Sequence, residues 1–391
     1  MLTTLRIHLN SAGAPLPSPV VLEAMIAHLR AEAELGPIEA GRERAEAAES
    51  LYLEAARLIG ASPDEIAWCG SGSRAWATAV EAFDWRRGER IIVSGLDYGG
   101  SLTTLAAAAA RSGAVIEVGP CDGHGRLIPE DLEILLGTGP RAVAVSHVAA
   151  HCGASNDLAA IGRLTRRAGV QFVVDAAQSI GQLPLSVDEI GCDALCAPGR
   201  KWLRGPRGSG LLYLRASSTG GLTPPWSDVV SAQFVPAAPN RPTPETLAPL
   251  TWRSGARRFE LWERSRAAAI GLGVALAQLN AAVDAGGYFE RIRELAERCR
   301  TGLADIAGVT VWGPGDPDSA IIGFEVDGSA APEVQARCAA AGITISVIES
   351  SAAPLAFAGR TPDELCRVSA HVSNRDDDID AFLAVIRSMR R

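Results

Sequence analysis

Residues 173–214, VVDAAQSIGQLPLSVDEIGCDALCAPGRKWLRGPRGSGLLYL, contain the features that decide the fold. An apolar run ends in an acid at Asp175, and two further apolar runs, DALCA and GLLYL, flank a glycine-rich turn. That turn holds Lys201, the only lysine among the 37 Lys and Arg residues of the chain. Short apolar strands that alternate with helical segments favour a parallel sheet covered on both faces.

Lys201 stands out because arginine serves at every other basic position. An amine can lose its proton and attack a carbonyl group, whereas a guanidinium effectively cannot. The single lysine therefore suggests covalent amine chemistry, most simply a Schiff base. The alternative that composition leaves open is a chance survivor of a general bias toward arginine.

The same alternation extends on both sides of this stretch. Helices are predicted from Ser18-Pro19, with proline in the first turn, and over residues 43–59. Strands are predicted at RIIVS (90–94), AVIEVG (114–119), RAVAVSH (141–147), VQFVVD (170–175), DALCA (193–197) and GLLYL (210–214). Residues 217–250 lack periodicity and are predicted to be an irregular excursion.

The most apolar stretch, Ala267 to Ala285, lies in a largely helical region over residues 257–307. It is short for a membrane span and carries Gln278, Asn280 and Asp284, so a buried core helix is expected.

The last part of the chain predicts a smaller α+β unit with strands VTVWG, AIIGFEV and ITISVI and helices from about residues 331 and 375. Asn374, followed by three aspartates, is predicted to cap the last helix. Three parts are expected: an N-terminal segment (1–15) packing on the small domain, a large domain (16–265), and a connecting helix with the small domain (266–391).

Composition restricts the partners. The net charge is −8 and no basic stripe occurs, which disfavours nucleic acid and anionic membranes. The eight cysteines lack zinc-site spacing, and a chain of 391 residues does not need disulfides. With no apparent signal peptide, the expectation is a cytoplasmic protein with reduced thiols and no metal site.

Three features together predict a cofactor. Asp175 follows a buried strand, where an acid needs a partner such as a protonated heteroaromatic nitrogen, or caps a turn instead. The turn CGSGSRAWATAV (69–80) enters a helix whose N–H groups and Ser73 hydroxyl suit a phosphate, although an ordinary connection has the same pattern. With Lys201, these are the groups that pyridoxal 5′-phosphate (PLP) requires. No G-x-G-x-x-G dinucleotide pattern follows the first strand.

Residues 173–214 resemble the core of class V aminotransferase-fold (fold type I) PLP enzymes, which include cysteine desulfurases, isopenicillin N epimerase-like proteins and C–S lyases. HLNSAG (8–13), ARRFELWERS (256–265) and CRVSAHVSNRDDDIDAF (366–382) also match. The RKW…GPRG frame resembles the hercynylcysteine sulfoxide lyase branch, and RRFELWERS resembles the epimerase-like branch. The resemblance implies a large α/β domain with a mostly parallel seven-stranded sheet covered by helices, a small C-terminal α+β domain, and a homodimer with active sites at the interface.

The resemblance also implies roles for the cofactor-binding residues. Lys201 would bind PLP covalently and later move protons, Asp175 would pair with the ring nitrogen, and Gln178 would hydrogen-bond the ring oxygen. The cofactor phosphate would be held by Ser73, Arg74 and Arg200.

On the substrate side, the resemblance assigns Arg367 to the substrate α-carboxylate, a task that suits its bidentate fork. Tyr98 would stack on the cofactor, and His151 would face the substrate, although a packed structural histidine is the alternative. His151 or Tyr98 would protonate the leaving group.

The chain departs from the family pattern at three places. Many relatives carry Ser or Thr where this chain has Pro198, which removes a hydroxyl and an N–H from the phosphate site. Glu263 or a neighbour stands where many relatives place a Thr that reaches the partner subunit's phosphate. The loop ESSAAPLAFAGRTPDE (349–364) has no cysteine, which disfavours a cysteine desulfurase.

The expected function is therefore PLP-dependent β-elimination on a cysteine S-conjugate or related amino acid, releasing pyruvate and ammonia. Epimerisation or racemisation and transamination are alternatives within the family. A non-catalytic binding protein that keeps the fold is the alternative from another class, and intact Lys201, Asp175, Gln178 and Arg367 argue against it.

Overall fold

Fifteen strands and thirteen helices are present in the computed structural model, which describes residues 6–234, 250–313, 319–361 and 363–389. The strands are β1 (Ile7–His8), β2 (Ile66–Cys69), β3 (Arg90–Val93), β4 (Val115–Val118), β5 (Ala142–Ser146), β6 (Gln171–Asp175), β7 (Ala194–Pro198), β8 (Gly210–Leu214), β9 (Ala232–Phe234), β10 (Leu250–Trp252), β11 (Val309–Trp312), β12 (Ile321–Val326), β13 (Ile343–Thr344), β14 (Ser346–Glu349) and β15 (Glu364–Ser369). The helices are α1 (Pro19–Leu35), α2 (Pro37–Glu43), α3 (Ala45–Ile59), α4 (Gly72–Glu81), α5 (Gly99–Ser112), α6 (Pro129–Leu136), α7 (Leu158–Ala168), α8 (Val187–Ile190), α9 (Ala216–Thr219), α10 (Arg266–Asp284), α11 (Tyr288–Ala304), α12 (Ala331–Ala340) and α13 (Asp376–Ser388).

The main sheet has seven strands in the order β2-β8-β7-β6-β5-β3-β4. The strands from β7 to β4 run parallel, whereas β8 is antiparallel to both of its neighbours. Successive side chains enter two different cores: Phe172 and Val174 of β6 pack in one, and Val173 packs in the other. Both faces are therefore buried, as the continuous apolar runs indicate, and the predicted mostly parallel seven-stranded sheet is confirmed.

Three local features differ from the expectations. Strand β2 was not predicted: it has only four residues and pairs at the sheet edge with the distant strand β8. The helix expected over residues 43–59 is α3, which runs from Ala45 to Ile59, but the short helix α2 that precedes it was not predicted. The segment 217–250, predicted to be irregular, begins within α9 and contains strand β9. Residues 235–249 of this segment lie outside the described part of the chain.

Helix α10 is long and apolar enough to cross a membrane by length and composition, but it packs inside the protein. It contacts α3 and α1, and its small residues allow close approach. A Cβ added at Gly273 would lie 3.1 Å from the backbone nitrogen of Leu51. The helix is thus the buried core helix that its composition predicts.

A second, antiparallel sheet has the order β11-β12-β15-β14 and packs with α11, α12 and α13 around its own apolar core. The N-terminal strand β1 pairs in parallel with β13 beside this core. The last helix begins at Asp376, close to the predicted residue 375, but Asn374 is not its N-cap. Arg375 is its N-cap, and the Asn374 amide oxygen instead accepts the backbone N–H of His371.

Candidate functional site

A cavity of about 230 Å³ opens at the carboxyl ends of the parallel strands and is here named the Lys201 cavity. This is the edge at which open α/β sheets bind ligands. Register places Ser146, the last residue of β5, beside Asp175, the last residue of β6. Of the nine predicted site residues, six line the cavity: Ser73, Tyr98, Asp175, Gln178, Arg200 and Lys201.

Lys201 lies in the turn after β7, with its amine 5.9 Å from the centroid of the Tyr98 ring. Burial lowers the pKa of this amine to about 7, and the charges of Arg200 and Arg367 act in the same direction, while Asp175 opposes them. A substantial neutral fraction at physiological pH makes this amine a competent nucleophile toward a carbonyl group.

Asp175 is held by neutral donors. The Ser101 hydroxyl donates to one carboxylate oxygen at 2.7 Å, and the backbone N–H of Ala177 donates to the other at 2.9 Å. Across the described residues, no cationic side chain forms an ion pair with it. The buried carboxylate therefore remains available to a cationic group in the cavity, such as a protonated ring nitrogen.

Gln178 is fixed from two sides. Its amide oxygen accepts the Trp202 indole N–H at 3.0 Å, and its amide nitrogen donates to the Ala12 carbonyl at 3.1 Å. Because a side-chain amide carries two hydrogens, one remains for a ligand oxygen in the cavity.

A second buried carboxylate, Asp97, lies behind the cavity and was not predicted. It accepts the backbone N–H groups of Ser94 and Ser146. Burial raises its pKa to about 7 and the charge of Asp175 adds to the effect, while those hydrogen bonds oppose it. Its position three residues after the RIIVS strand was the one signal in the sequence.

The start of α4 is the candidate phosphate cradle. The Ser71 hydroxyl caps the helix through the Arg74 N–H at 3.0 Å, and the first-turn N–H groups of Gly72 and Ser73 lack intrahelical partners. A Cβ at Gly72 would lie 2.7 Å from the Pro198 nitrogen, so the turn after β7 packs closely against this helix start. Pro198 itself offers no donor.

The cationic side chains of the cradle differ from the prediction. Arg200 lines the cavity and donates to the Gly13 carbonyl. Arg74 does not line it, because its guanidinium lies over the Trp226 ring, 4.6 Å from the centroid. Arg207 lines the cavity instead. Arg207 lies six residues after Lys201 in the chain and has no predicted role.

Tyr98 is the N-cap of α5, and its backbone N–H donates to the Ser146 hydroxyl at 3.3 Å. Its side chain is 42% exposed and faces the cavity. A Cβ at Gly100 would lie 2.6 Å from the Tyr98 ring, so the glycine allows the ring to lie flat against the helix start.

His151 lies outside the cavity lining and is 3% exposed. Its ring packs against Trp312 and Phe357, with centroids 6.2 and 6.1 Å away. Burial lowers its pKa to about 4, and the charges of Arg360 and Arg367 contribute. Of the two alternatives for this residue, the placement favours a packed, neutral histidine.

Arg367 is buried on β15 beside the cavity. Its guanidinium donates to the Ala150 carbonyl at 2.8 Å and to the Asn10 amide oxygen at 3.2 Å. Its Nε has no hydrogen-bond partner in the described ranges. Ala150 lines the cavity, so the guanidinium stands one residue behind its wall.

The donor set fits PLP. It combines one amine of lowered pKa, one carboxylate held for a cationic nitrogen, an aromatic ring, and a helix start with free N–H groups flanked by arginines.

Comparisons with known proteins agree with this fit. The sequence model of the family Aminotransferase class-V matches residues 7–382. The chain is 29% identical over 379 residues to a probable hercynylcysteine sulfoxide lyase of Mycobacterium tuberculosis (strain CDC 1551 / Oshkosh), covering 96% of this chain and 88% of that protein. It is 28% identical to a probable cysteine desulfurase of Mycolicibacterium paratuberculosis (strain ATCC BAA-968 / K-10), spanning 96% of this chain but only 54% of that protein.

Two solved structures show the same fold. The cysteine desulfurase from Thermococcus onnurineus NA1 superposes with a TM-score of 0.87 at 23% identity, covering 98% of this chain and 94% of the other. The cystine C–S lyase C-DES, solved with its reaction product cysteine persulfide, has a TM-score of 0.86 at 23% identity and 98% coverage of both chains.

Proposed function

The chain belongs to the class V aminotransferase family of PLP-dependent enzymes, and from that premise we propose that it is a C–S lyase. The substrate is a cysteine S-conjugate or a related amino acid, and the products are pyruvate, ammonia and the sulfur-bearing fragment. Bound PLP supplies the electron sink for this chemistry. The similarity to a probable hercynylcysteine sulfoxide lyase supports the proposal.

The positions of the cysteine thiols favour a lyase over a desulfurase. All eight cysteines lie in the described residues, seven of them buried and Cys121 half-buried, and none lines the Lys201 cavity. Cys366 directs its thiol to the Ala331 carbonyl. With no cysteine in the loop over residues 349–364, nothing near the site is placed to accept sulfur, and the leaving sulfur goes to the product.

Lys201 acts as the base. Its lowered pKa lets the freed amine accept the substrate α-proton near neutral pH. The C–S bond then breaks, its electron pair goes to sulfur, and the sulfur takes up a proton. The remaining 2-aminoacrylate hydrolyses to pyruvate and ammonia.

The other residues bind and orient the substrate. Arg367 attracts the α-carboxylate electrostatically from behind Ala150, to whose carbonyl its guanidinium donates. Tyr98, which lines the cavity, is better placed than buried His151 to pass a proton to the leaving group.

A product assay tests the reaction type. The purified enzyme is incubated with a cysteine S-conjugate and no amino acceptor, with Lys201→Ala as the inactive control. Stoichiometric pyruvate and ammonia support the lyase. Turnover only with a 2-oxo acid identifies an aminotransferase, and loss of chirality without pyruvate identifies an epimerase or racemase; either outcome contradicts the proposal.

We also infer a cytoplasmic homodimer. The free thiols suit a reducing compartment. Large apolar side chains are exposed near the N-terminus and again between residues 226 and 262: Leu16, Val20, Leu22, Leu29, Ile38, Trp226, Val229 and Trp262. Such concentrations mark interaction surfaces. Light scattering should give twice the chain mass for the wild-type protein and a smaller mass for Leu22→Glu, and a monomeric wild-type protein would contradict the inference.

A further inference from the structure

His371 belongs to the small C-terminal unit by sequence, yet it contacts the turn that carries Lys201. It follows β15, and its ring stacks on Trp202 with a centroid distance of 5.9 Å and an interplanar angle of 20°. Both side chains are 1% exposed. The residue next to the cofactor-binding lysine is therefore covered by a histidine from the other end of the chain.

The hydrogen bonds of His371 define its protonation. Its Nε2 lies 3.3 Å from the Trp202 carbonyl oxygen and 3.4 Å from the Tyr288 hydroxyl, which itself lies 3.3 Å from the Gly181 carbonyl. A carbonyl oxygen can only accept, so Nε2 carries the hydrogen and donates it. Nδ1 is buried with no partner among the residues described, as expected for the unprotonated nitrogen of a neutral ring.

Burial keeps this ring neutral. It lowers the pKa of His371 to about 4, and the charge of Arg204 acts in the same direction. The backbone N–H of His371 donates to the Asn374 amide oxygen at 2.9 Å, and the Asn374 amide donates to the His8 carbonyl at 3.2 Å. These bonds fix the position from which the imidazole reaches Trp202.

The fixed position of Trp202 in turn affects two residues that line the cavity, Lys201 and Gln178. Its peptide adjoins Lys201, and its indole N–H donates to the Gln178 amide oxygen at 3.0 Å. The backbone at Gly181 packs closely against the Trp202 peptide, since a Cβ at Gly181 would lie 3.0 Å from the Trp202 carbonyl carbon and oxygen.

We propose that His371 is a positioning residue of the cofactor site: its Nε2–H holds the Trp202 carbonyl, and through Trp202 it sets the position of the Lys201 amine and the orientation of the Gln178 amide. The inference rests on PLP binding and not on the reaction type. It also explains why a histidine is buried here without a contact to the cavity.

Cofactor binding in purified holoenzyme variants tests the proposal. His371→Phe keeps a ring over Trp202 but removes the donor, whereas His371→Gln keeps an N–H at a similar reach. His28, a 0% exposed histidine on α1, provides the matched control His28→Phe. The readouts are the dissociation constant of PLP and the pH midpoint of its visible absorbance when bound.

His371→Phe should weaken PLP binding about tenfold, because the buried Trp202 carbonyl loses its donor and the turn that carries Lys201 is no longer held in place. It should also move the absorbance midpoint. His371→Gln and His28→Phe should both stay within about twofold of the wild-type affinity. The proposal is wrong if His371→Phe matches the wild type, if the Phe and Gln variants behave alike, or if His28→Phe shifts the midpoint as much.

If His371→Phe does not fold, Trp202→Phe provides the second test, since it keeps the carbonyl and the ring stack but removes the indole N–H to Gln178. Trp202→Phe should move the absorbance midpoint while the protein stays folded. An unchanged midpoint would show that the restraint does not reach Gln178 and would overturn the proposal.

Discussion

At the residue scale, the two arginines beside the phosphate cradle contact different parts of the protein. Arg207 lines the Lys201 cavity, while Arg74 stacks on Trp226 in a neighbouring pocket. We expect Arg207→Gln to weaken PLP binding about fivefold, through loss of a partly exposed charge-assisted hydrogen bond to the phosphate. Arg74→Gln, the matched control, should change the affinity little. A larger loss in Arg74→Gln, measured by PLP titration of the apoenzyme, would contradict this placement.

The lowered pKa of Lys201 predicts how PLP uptake depends on pH. Only the neutral amine attacks an aldehyde, so the uptake rate of the apoenzyme should rise with pH around a midpoint near 7. Asp175 raises this pKa, and Asp175→Asn should therefore move the midpoint lower. Stopped-flow absorbance measures both midpoints, and a wild-type midpoint near 10.5, the ordinary pKa of lysine, would contradict the prediction.

The sequence predicts some residues of the site better than others. Lys201 and Asp175 could be predicted to lie at the cavity, where the structure places them, because their residue types and their positions after strands both point there. The separation of Arg74 from Arg207 could not, since residue type and spacing do not say which way a side chain leaves a helix start. His151 was ambiguous for the same reason, and Ser101 went unnoticed because a serine in a helix carries no chemical signal by itself.

At the scale of elements, the start of α5 is packed tightly against the short loop that follows β14. A Cβ at Gly99 would lie 1.9 Å from the Ser351 carbonyl oxygen, so the two segments cannot both keep their positions if residue 99 has a side chain. We expect Gly99→Ala to cost about 1–3 kcal/mol of folding free energy by overpacking and to displace the adjoining Tyr98.

Gly123→Ala is the control, because nothing lies within 4 Å of the added Cβ and no positive φ is required there. Differential scanning calorimetry should show a lower Tm for Gly99→Ala and an unchanged Tm for Gly123→Ala. The visible absorbance of bound PLP should also change in Gly99→Ala only. Equal Tm values for the two variants would argue against close packing at this junction.

Element prediction worked where a buried strand was long enough to show a continuous apolar run, as in β5 and β6. It missed β2, whose four residues follow a short turn and pair at the sheet edge with β8. That pairing is non-local and leaves no periodic trace in the chain. The predicted Asn374 cap is wrong because the Asn374 amide oxygen accepts the backbone N–H of His371, three residues earlier, in a local turn.

For the whole molecule, buried titratable groups predict the response to acid. His151 and His371 have pKa values lowered to about 4, so they stay neutral in the folded protein while the unfolded chain takes up protons below about 6.5. Above pH 6.5 these two histidines do not lower the free energy of unfolding. As the pH falls from 6.5 toward 4, proton uptake by the unfolded chain lowers that free energy. Asp97, with its pKa raised to about 7, acts oppositely: its contribution is lost as pH rises from 3.8 to 7.

Thermal unfolding of the apoprotein across this range should separate the two effects. Between neutral pH and pH about 4.5, the Tm of His371→Gln should fall less than that of the wild type, because this variant lacks one of the two acid-sensitive histidines. Asp97→Asn should lose more, because the opposing group is gone. Parallel Tm curves for all three proteins would contradict the assignment of these burial effects.

The overall architecture was the most predictable level, because it depends on the order of many strands and helices and not on any single side chain. The α/β class and the mostly parallel sheet follow from repeated apolar runs, and the smaller α+β unit follows from the change of pattern after residue 307. The contact of His371 with Trp202 depends instead on how two distant segments meet, which sequence pattern does not encode.

A chain with one lysine has one cleavage site for a lysine-specific protease. Digestion of the denatured apoprotein should give two fragments, 1–201 and 202–391. Borohydride reduction of the holoenzyme before denaturation would fix the cofactor on the Lys201 amine and remove that site, leaving the chain intact. A single gel lane therefore reports the fraction of molecules that carry covalently bound cofactor, without a spectrum and without a substrate.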